Sequence, residues 1–590
     1  MNLVKNNRPE FLPLKDLAAR VDSGSRISVG GHHFARLPIA LVRAVCAQKT
    51  QDLRYFNWAG GLPLELLLEA GAVKSIDICF SSLDIFGLAP KFRKAVESGE
   101  IPMTDWPALA LIQSLRATEQ NLPFLPMQSP EGSELNNTCP ALVPYHDAQS
   151  NQMLSLVRAM STDVFLLHAP RADENGNVEL YGAHSLDKLV AGAAGQVLVT
   201  VEEIIPAGTL QQGPRNFVIP RNRISAISKV PGGAYPCSCL PYYTTDYRRL
   251  MDIVFDKEAV LFDELAPSNE GIPPFIRQAA SLPARCYFSL QRSVVKARQP
   301  EQATVDELMT IRVARLLDNN SYASAGAVSP LANVAYRLAK RLHAPDLILT
   351  TFSGGTVDVD AGTLSLTMLE AMDTHSAVSH TGGEDTYWNT YQGSLVSHEI
   401  VGTAQIDAQG FTNTLSISKP DGGQVRLPGQ GGMADVANMH QHFIVYVPRH
   451  NPNALVENVE ICSAGRSILT EQQRLRYGYR PGKVALITNL CLFEYDEQAG
   501  QFVVTETMPG ASREEIVRQT GFKVIFADNC KTMAEPTAEE LRVLRTVIDP
   551  LGIRRLEFVS AKERQSLIRE IISADRKLAA KTVEQEQQNQ

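Results

Sequence analysis

Arg26-Ile27-Ser28-Val29-Gly30-Gly31, leading through a polar loop to Arg36-Leu37-Pro38-Ile39-Ala40-Leu41-Val42-Arg43-Ala44-Val45, decides the fold. A short strand runs into a glycine turn, and an apolar helical pattern opens at a proline. Strand, glycine turn and helix form the opening of a βα unit, which sets a helix N-terminus facing a crevice. The same order returns in the second half of the chain. Ser321-Tyr322-Ala323-Ser324 runs into Ala325-Gly326, and the pattern predicts a helix from about Pro330 to Lys340.

Between the two copies lies a seam near Ala297–Thr304. Gln299-Pro300-Glu301-Gln302 is polar and broken by proline, and Thr304 with Glu307 then forms a capping box ahead of the helical run Leu308–Leu317. A second echo lies deeper in each half, in the turn sequences Asp173-Glu174-Asn175-Gly176 and Asp407-Ala408-Gln409-Gly410. Val164-Phe165-Leu166-Leu167 and Val197-Leu198-Val199-Thr200-Val201 read as strands apolar on both faces, which suits a covered, largely parallel sheet. The expected fold class is α/β, with two related halves, each an open, largely parallel sheet flanked by helices. The expected boundaries are 1–298 and 304–575, with 576–590 as a polar tail.

Composition narrows the function. At 590 residues the chain exceeds one core, and with 44% hydrophobic and 20% charged residues it is an ordinary globular mixture. The net charge of -8 and pI of about 5.9 offer no basic footprint for nucleic acid. No apolar stretch approaches the length of a membrane span. Met1–Pro9 lacks the apolar core of a secretory signal, and the nine cysteines follow no disulfide spacing. A cytoplasmic protein with reduced thiols is expected, without nucleic-acid or membrane partners; whether it forms a homo-oligomer is left open.

The ordered set of motifs resembles the family I CoA-transferases, and the glutaconate CoA-transferase branch most closely. The first half resembles the α subunit through Val29-Gly30-Gly31 to Pro38, Pro90–Glu97, Leu122-Pro123-Phe124-Leu125-Pro126, Asn175-Gly176-Asn177, Val201-Glu202-Glu203-Ile204 and Val230-Pro231-Gly232-Gly233-Ala234. The second half resembles the β subunit through Lys340–Asp346, Gln405-Ile406-Asp407, Gly429-Gln430-Gly431-Gly432-Met433-Ala434-Asp435, Thr520-Gly521-Phe522 and Ile548-Asp549-Pro550. The resemblance covers nearly the whole chain and implies both subunits fused in one polypeptide. It implies an acyl-CoA thioester as substrate, of a small or dicarboxylic acyl group, a carboxylate as the acceptor in transfer, and no permanently bound cofactor.

Such a site must hold phosphates and stabilise the oxyanion that forms from the thioester carbonyl. Gly30, Gly31, Gly429, Gly431 and Gly432, with Ser329, Asn333, Gly354 and Gly355, are the candidate substrate-binding residues; glycines let backbone N–H groups approach a ligand closely. His32 and His33 are candidate acids, bases or orienting donors. His440 and His442 alternate without convincing further ligands, so no metal site is expected. No nucleophile-elbow sequence occurs, which disfavours an ordinary α/β-hydrolase.

The resemblance also implies a nucleophilic glutamate after the Ala344-Pro345-Asp346 stretch, ahead of Ser-Gly. Here Leu347-Ile348-Leu349-Thr350-Thr351 ends in Phe352, followed by Ser353-Gly354-Gly355. A phenyl ring cannot form the acyl anhydride and glutamyl thioester that such catalysis requires. The related steroid ring-opening CoA hydrolases also lack this glutamate, and Ser329–Asn333 and Ile487–Leu490 lean toward them. Their first-half carboxylate aligns with Ala108, with Asp105 and Glu119 nearby. The candidate catalytic residues are therefore Ser353, His32, His33 and Asp105. Three functions follow: transfer through another nucleophile; hydrolysis, ring opening or acyl transfer on the same scaffold; or non-catalytic acyl-CoA binding.

Overall fold

The structure, a computed structural model, describes residues 8–212, 217–255, 271–274, 276, 302–326, 329–352, 355–364, 366, 376–466 and 468–588. The proline-broken centre of the expected seam, and Ser353 and Gly354, lie outside the described residues.

The first half is built on a parallel sheet. Its main path runs Glu10–Phe11, Ala226–Lys229, Ala194–Ile205, Thr162–Asp173, Arg26–Val29, Leu53–Ala59, Val73–Phe80 and Met103–Asp105, every neighbouring pair parallel. From Arg26–Val29 the chain winds outward in one direction through Met103–Asp105, then returns at Thr162–Asp173 and winds in the other. The order therefore reverses beside Gly30, whose N–H donates to Leu166 O at 2.8 Å. Crevices open at such switch points, beyond the carboxyl ends of the strands.

The second half repeats this beginning. Tyr322–Ala325 pairs in parallel with Ile348–Thr351, as Arg26–Val29 pairs with Leu53–Ala59, and Ala323 also bridges in parallel to His398. Ile400–Gly402, Phe443–Val447 and Val484–Thr488 continue in parallel, and the antiparallel strands Cys491–Asp496 and Gln501–Thr507 extend the sheet. The helix Pro330–Leu342 follows its strand as expected and is buried on every side from Leu331 to Ala339.

The two turn echoes are the same structure. Asp173 Oδ1 accepts from the N–H of Asn175 and Asn177 at 3.1 and 2.8 Å, and Asp407 Oδ1 accepts from Gln409 and Phe411 at 3.0 and 3.1 Å. Each carboxylate holds a turn whose glycine, Gly176 or Gly410, has φ near +90° (90° and 86°), where a side chain would strain the backbone.

Thr304 and Glu307 form the expected capping box at Val305–Ala314, with Thr304 N–H donating to the Glu307 carboxylate at 2.9 Å. Both large clusters of buried apolar side chains draw on both halves: Leu41 and Leu338 belong to one, Phe165 and Val445 to the other. Of the segment 576–590, expected as a polar tail, residues 576–588 continue the helix Ala561–Gln588. Among the described residues no helix is long and apolar enough to cross a membrane.

Candidate active site

The crevice forms where the carboxyl ends of first-half strands meet the second half. Trp58 and Phe80, at the ends of Leu53–Ala59 and Val73–Phe80, pack edge to face with ring centroids 4.7 Å apart. Against them lies the loop Pro428–Gly432. Ser81 N–H donates to Pro428 O at 2.7 Å, Gly431 N–H to Cys79 O at 3.1 Å and Ala108 N–H to Gly431 O at 3.1 Å, so three backbone hydrogen bonds stitch the halves together.

Glycine at 429 is a steric requirement, because its φ is +113° and a Cβ would stand 2.5 Å from Cys79 O. The geometry corrects one expectation. The amides of Gly429 and Gly431 do not face a ligand as oxyanion donors, since Gly429 N–H donates to Thr414 O at 3.0 Å and Gly431 N–H to Cys79 O.

Beside this contact opens a cavity of about 810 Å³ with walls from both halves. Phe352 stands directly after the strand Ile348–Thr351 and forms part of the wall. Its buried ring packs on Trp58, Tyr387 and Tyr391, with centroid distances of 5.1, 4.5 and 6.3 Å. The tyrosines come from the helical turn Thr386–Tyr391, an irregular element with no expectation attached to it.

Two carboxylates, the buried Glu399 and the half-buried Glu557, line the same cavity. Tyr391 Oη–H donates to Glu399 Oε2 at 2.5 Å, and Ser324 Oγ lies 2.7 Å from that hydroxyl. Burial pushes the Glu399 carboxyl up to about 7, opposed by the hydrogen bonds from Tyr391 and Ser324. His440 Nδ1 is 3.7 Å from Glu399 Oε2. Burial, reinforced by Arg480, Arg466 and Arg474, lowers that histidine to about 3, so it is a neutral neighbour at neutral pH. Glu557 accepts from Tyr446 Oη–H at 3.0 Å and from Leu331 N–H at 3.3 Å, and burial also raises it to about 7.

The expected site residues divide. Ser329, Gly429, Gly431 and Gly432 line the cavity. Gly30, Gly31, His32 and His33 line a separate small hollow of about 40 Å³, which shares Trp58, Phe80, Ser82 and Asp84 with the large cavity. His33 Nδ1 is hydrogen-bonded to Asp84, and burial, then the neighbouring His33 and Arg36, pushes His32 well below the usual histidine range. Gly31 N–H donates to Asp187 Oδ1 at 3.0 Å, and Asp187 pairs with buried Arg36 at 2.8 Å.

Asp105 is corrected as a crevice base. Its carboxylate is held by both terminal nitrogens of Arg426, at 2.8 and 2.5 Å, and it does not line the cavity. Glu119 is paired with Arg116 at 2.7 Å. Asn333 also stands behind the wall, its amide donating to Gly326 O and Ser329 O at 3.2 and 3.1 Å and so fixing the loop before the helix. Gly355 donates to Phe352 O at 3.0 Å and packs so closely on Thr381 O that a Cβ would stand 1.9 Å from it.

His168, Glu202 and Cys239 place donor atoms close together in the first-half core. The histidine's two nitrogens are already bonded to Thr200 at 2.8 Å and Glu202 at 2.7 Å, and Gly232 N–H donates to Glu202 at 2.6 Å. This is a satisfied polar network of the kind that fixes a core.

Glu399 was not anticipated from sequence. The signal for it was a single acidic residue heading the apolar run Ile400-Val401, since a buried polar group is the informative exception in a core.

Comparison with known proteins agrees with this architecture. The chain is 30% identical over 246 residues to one of the two subunits of the 3-oxoadipate CoA-transferase of Pseudomonas knackmussii, a match spanning 41% of this chain and 93% of that subunit. It is 29% identical over 266 residues to one of the two subunits of the glutaconate CoA-transferase of Acidaminococcus fermentans, spanning 42% and 82%. It is 30% identical over 240 residues to the IpdA subunit of the cholesterol ring-cleaving hydrolase of Rhodococcus jostii, spanning 39% and 81%. The fold matches that of an acyl-CoA transferase from E. coli O157:H7 (YdiF), solved as a thioester complex with CoA. The TM-score is 0.64 at 14% identity, over 90% of this chain and 97% of that one. Residues 12–229 and 307–519 both match the coenzyme A transferase family, and the chain belongs to that family.

Proposed function

We propose that this chain is an acyl-CoA-processing enzyme that binds the thioester of its substrate in the crevice between its two halves. The cavity of about 810 Å³ carries the reading, because it is large, apolar on one side and walled by both halves. Phe352, Tyr387, Tyr391 and Trp58 give an aromatic wall, while Arg449 and Arg564 on the lining supply cations suited to phosphate oxygens. His32 and His33, in the adjoining hollow beside Asp84, act as positioning groups in this reading.

Relatives include both transferases and a ring-cleaving hydrolase, so the family alone leaves the reaction open. Phe352 favours hydrolysis or C–C ring opening, with water in place of a glutamyl carrier. Mass spectrometry of the full chain with a panel of acyl-CoA thioesters, with and without carboxylate acceptors, tests this. Free CoA or a rearranged acyl skeleton without acceptor is the expected result. New thioesters that form only with an acceptor would establish transfer instead.

A further inference from the structure

We propose that Glu399 is the general base of the crevice, the carboxylate that accepts the proton from the water attacking the thioester. This rests on the acyl-CoA reading above and adds a residue and a role to it.

The first argument is position. Glu399 lines the cavity, and Tyr391, which grips its Oε2, packs against Phe352. Its other oxygen lies toward the cavity-lining Gly326, where an added Cβ would be 3.7 Å from Oε1. One oxygen is thus fixed and the other stands in the loop region where a substrate would pass.

The second argument is that structure does not account for this carboxylate. Among the described residues no lysine or arginine lies within ion-pair distance of it, and its one charged-type neighbour is the neutral His440. Burying a carboxylate without a cation costs stability, so its retention calls for another reason. Glu557 differs, because it caps the helix at Leu331 and has the charge of Arg564 beside it.

The third is pre-organisation. Ser324, Tyr391 and Glu399 form a hydrogen-bonded chain on three separate segments, so the carboxylate's orientation is set before substrate arrives. The titratable groups whose charge couples to it are Tyr336, Tyr387, Tyr391 and Asp435, with His440 against it. A base held near 7 is matched to neutral pH.

The step balances. Water oxygen bonds to the thioester carbonyl carbon as Glu399 takes a water proton. The C–S bond then breaks, and the sulfur leaves with that proton as the CoA thiol. The acyl group departs as its carboxylic acid.

The test compares the wild-type full chain with Glu399→Gln, Glu399→Asp and Tyr391→Phe. Turnover of the acyl-CoA panel and calorimetric binding of CoA are both measured. Glu399→Gln should bind CoA like wild type and lose roughly 10²–10⁴-fold in kcat, with Glu399→Asp recovering part of it. Wild-type kcat/KM should fall below pH of about 7 as the base becomes protonated. Tyr391→Phe should move that limb to higher pH, because the lost hydrogen bond favoured the ionised form. A folded Glu399→Gln protein with wild-type turnover would overturn the assignment. Wild-type protein that binds CoA but leaves every thioester intact would overturn the base while leaving a binding site. Wild-type protein that binds no CoA would remove the reading on which the base rests.

Discussion

Phe352 puts the single-residue question most sharply. It follows directly on Ile348–Thr351, the strand paired with Tyr322–Ala325, so the sequence count and the structure agree that it terminates this strand at the crevice wall. Its neighbours Tyr387 and Tyr391 place two phenol groups around that position. Phe352→Glu would therefore put a carboxylate where it could attack a thioester and where the Tyr387 phenol stands nearby. The variant is expected to exchange CoA between an acyl donor and a carboxylate acceptor at least about tenfold faster than wild type, a barrier change of about 1.4 kcal/mol. Mass spectrometry of the exchanged thioesters reads this directly, with a thermal melt to establish folding. A folded variant with no gain would show that 352 is not the nucleophile's place.

The glycine loop shows how an element can be recognised in sequence while its job is misassigned. Gly429-Gln430-Gly431-Gly432 stood out as a ligand-binding turn, and it does line the crevice. Gly429 is required because the loop there presses on Cys79 and Phe80 of the other half, whereas a Cβ at Gly432 would run into the Tyr387 hydroxyl of its own half. Gly429→Ala would add a Cβ at 2.5 Å from Cys79 O in a backbone region that L-residues avoid. We expect a loss of about 3 kcal/mol or more, seen as a lower urea midpoint and faster proteolysis between the halves. An unchanged midpoint would mean the contact can give way without cost.

What sequence could show follows the same division. The strand–glycine–helix openings and the turns at Asp173 and Asp407 were legible because each is held by local spacing. Glu399 was not, because its burial depends on Tyr391 and Ser324, which come from separate segments. Asp105 was misplaced for the converse reason. Its nearness in sequence to the expected base position carries no information about Arg426, which reaches it from the other half.

Over the whole molecule, the buried ionisable groups set a direction for stability against pH. Burial holds Glu384, Glu399, Asp435, Glu557 and Asp575 each at about 7. In the unfolded chain such carboxyls titrate near 4. Between these values the folded state keeps protons that the unfolded chain has lost, so stability falls as pH rises and this contribution is gone once the pH passes the folded values. Buried histidines work the other way. His184, His398 and His440 are lowered to about 3, and His442 and His450 to about 4, so the unfolded chain binds more protons up to about 6.5 and stability rises with pH in that range. The two trends oppose each other in mildly acidic solution, and above about 6.5 the carboxylates outweigh the histidines, which in the unfolded chain are then at most half protonated. The thermal midpoint should therefore fall between pH 6.5 and pH 8, each carboxylate losing roughly 0.8 kcal/mol and each histidine returning roughly 0.4 kcal/mol. Asp435→Asn should shallow this slope, since it removes one titrating group and keeps an oxygen for Leu109 N–H, now 3.1 Å from Asp435 Oδ2. A midpoint that holds steady or rises over this range would show that these carboxylates are ionised in the folded protein well below pH 7. It would also place the Glu399 limb of the activity profile lower than its burial implies.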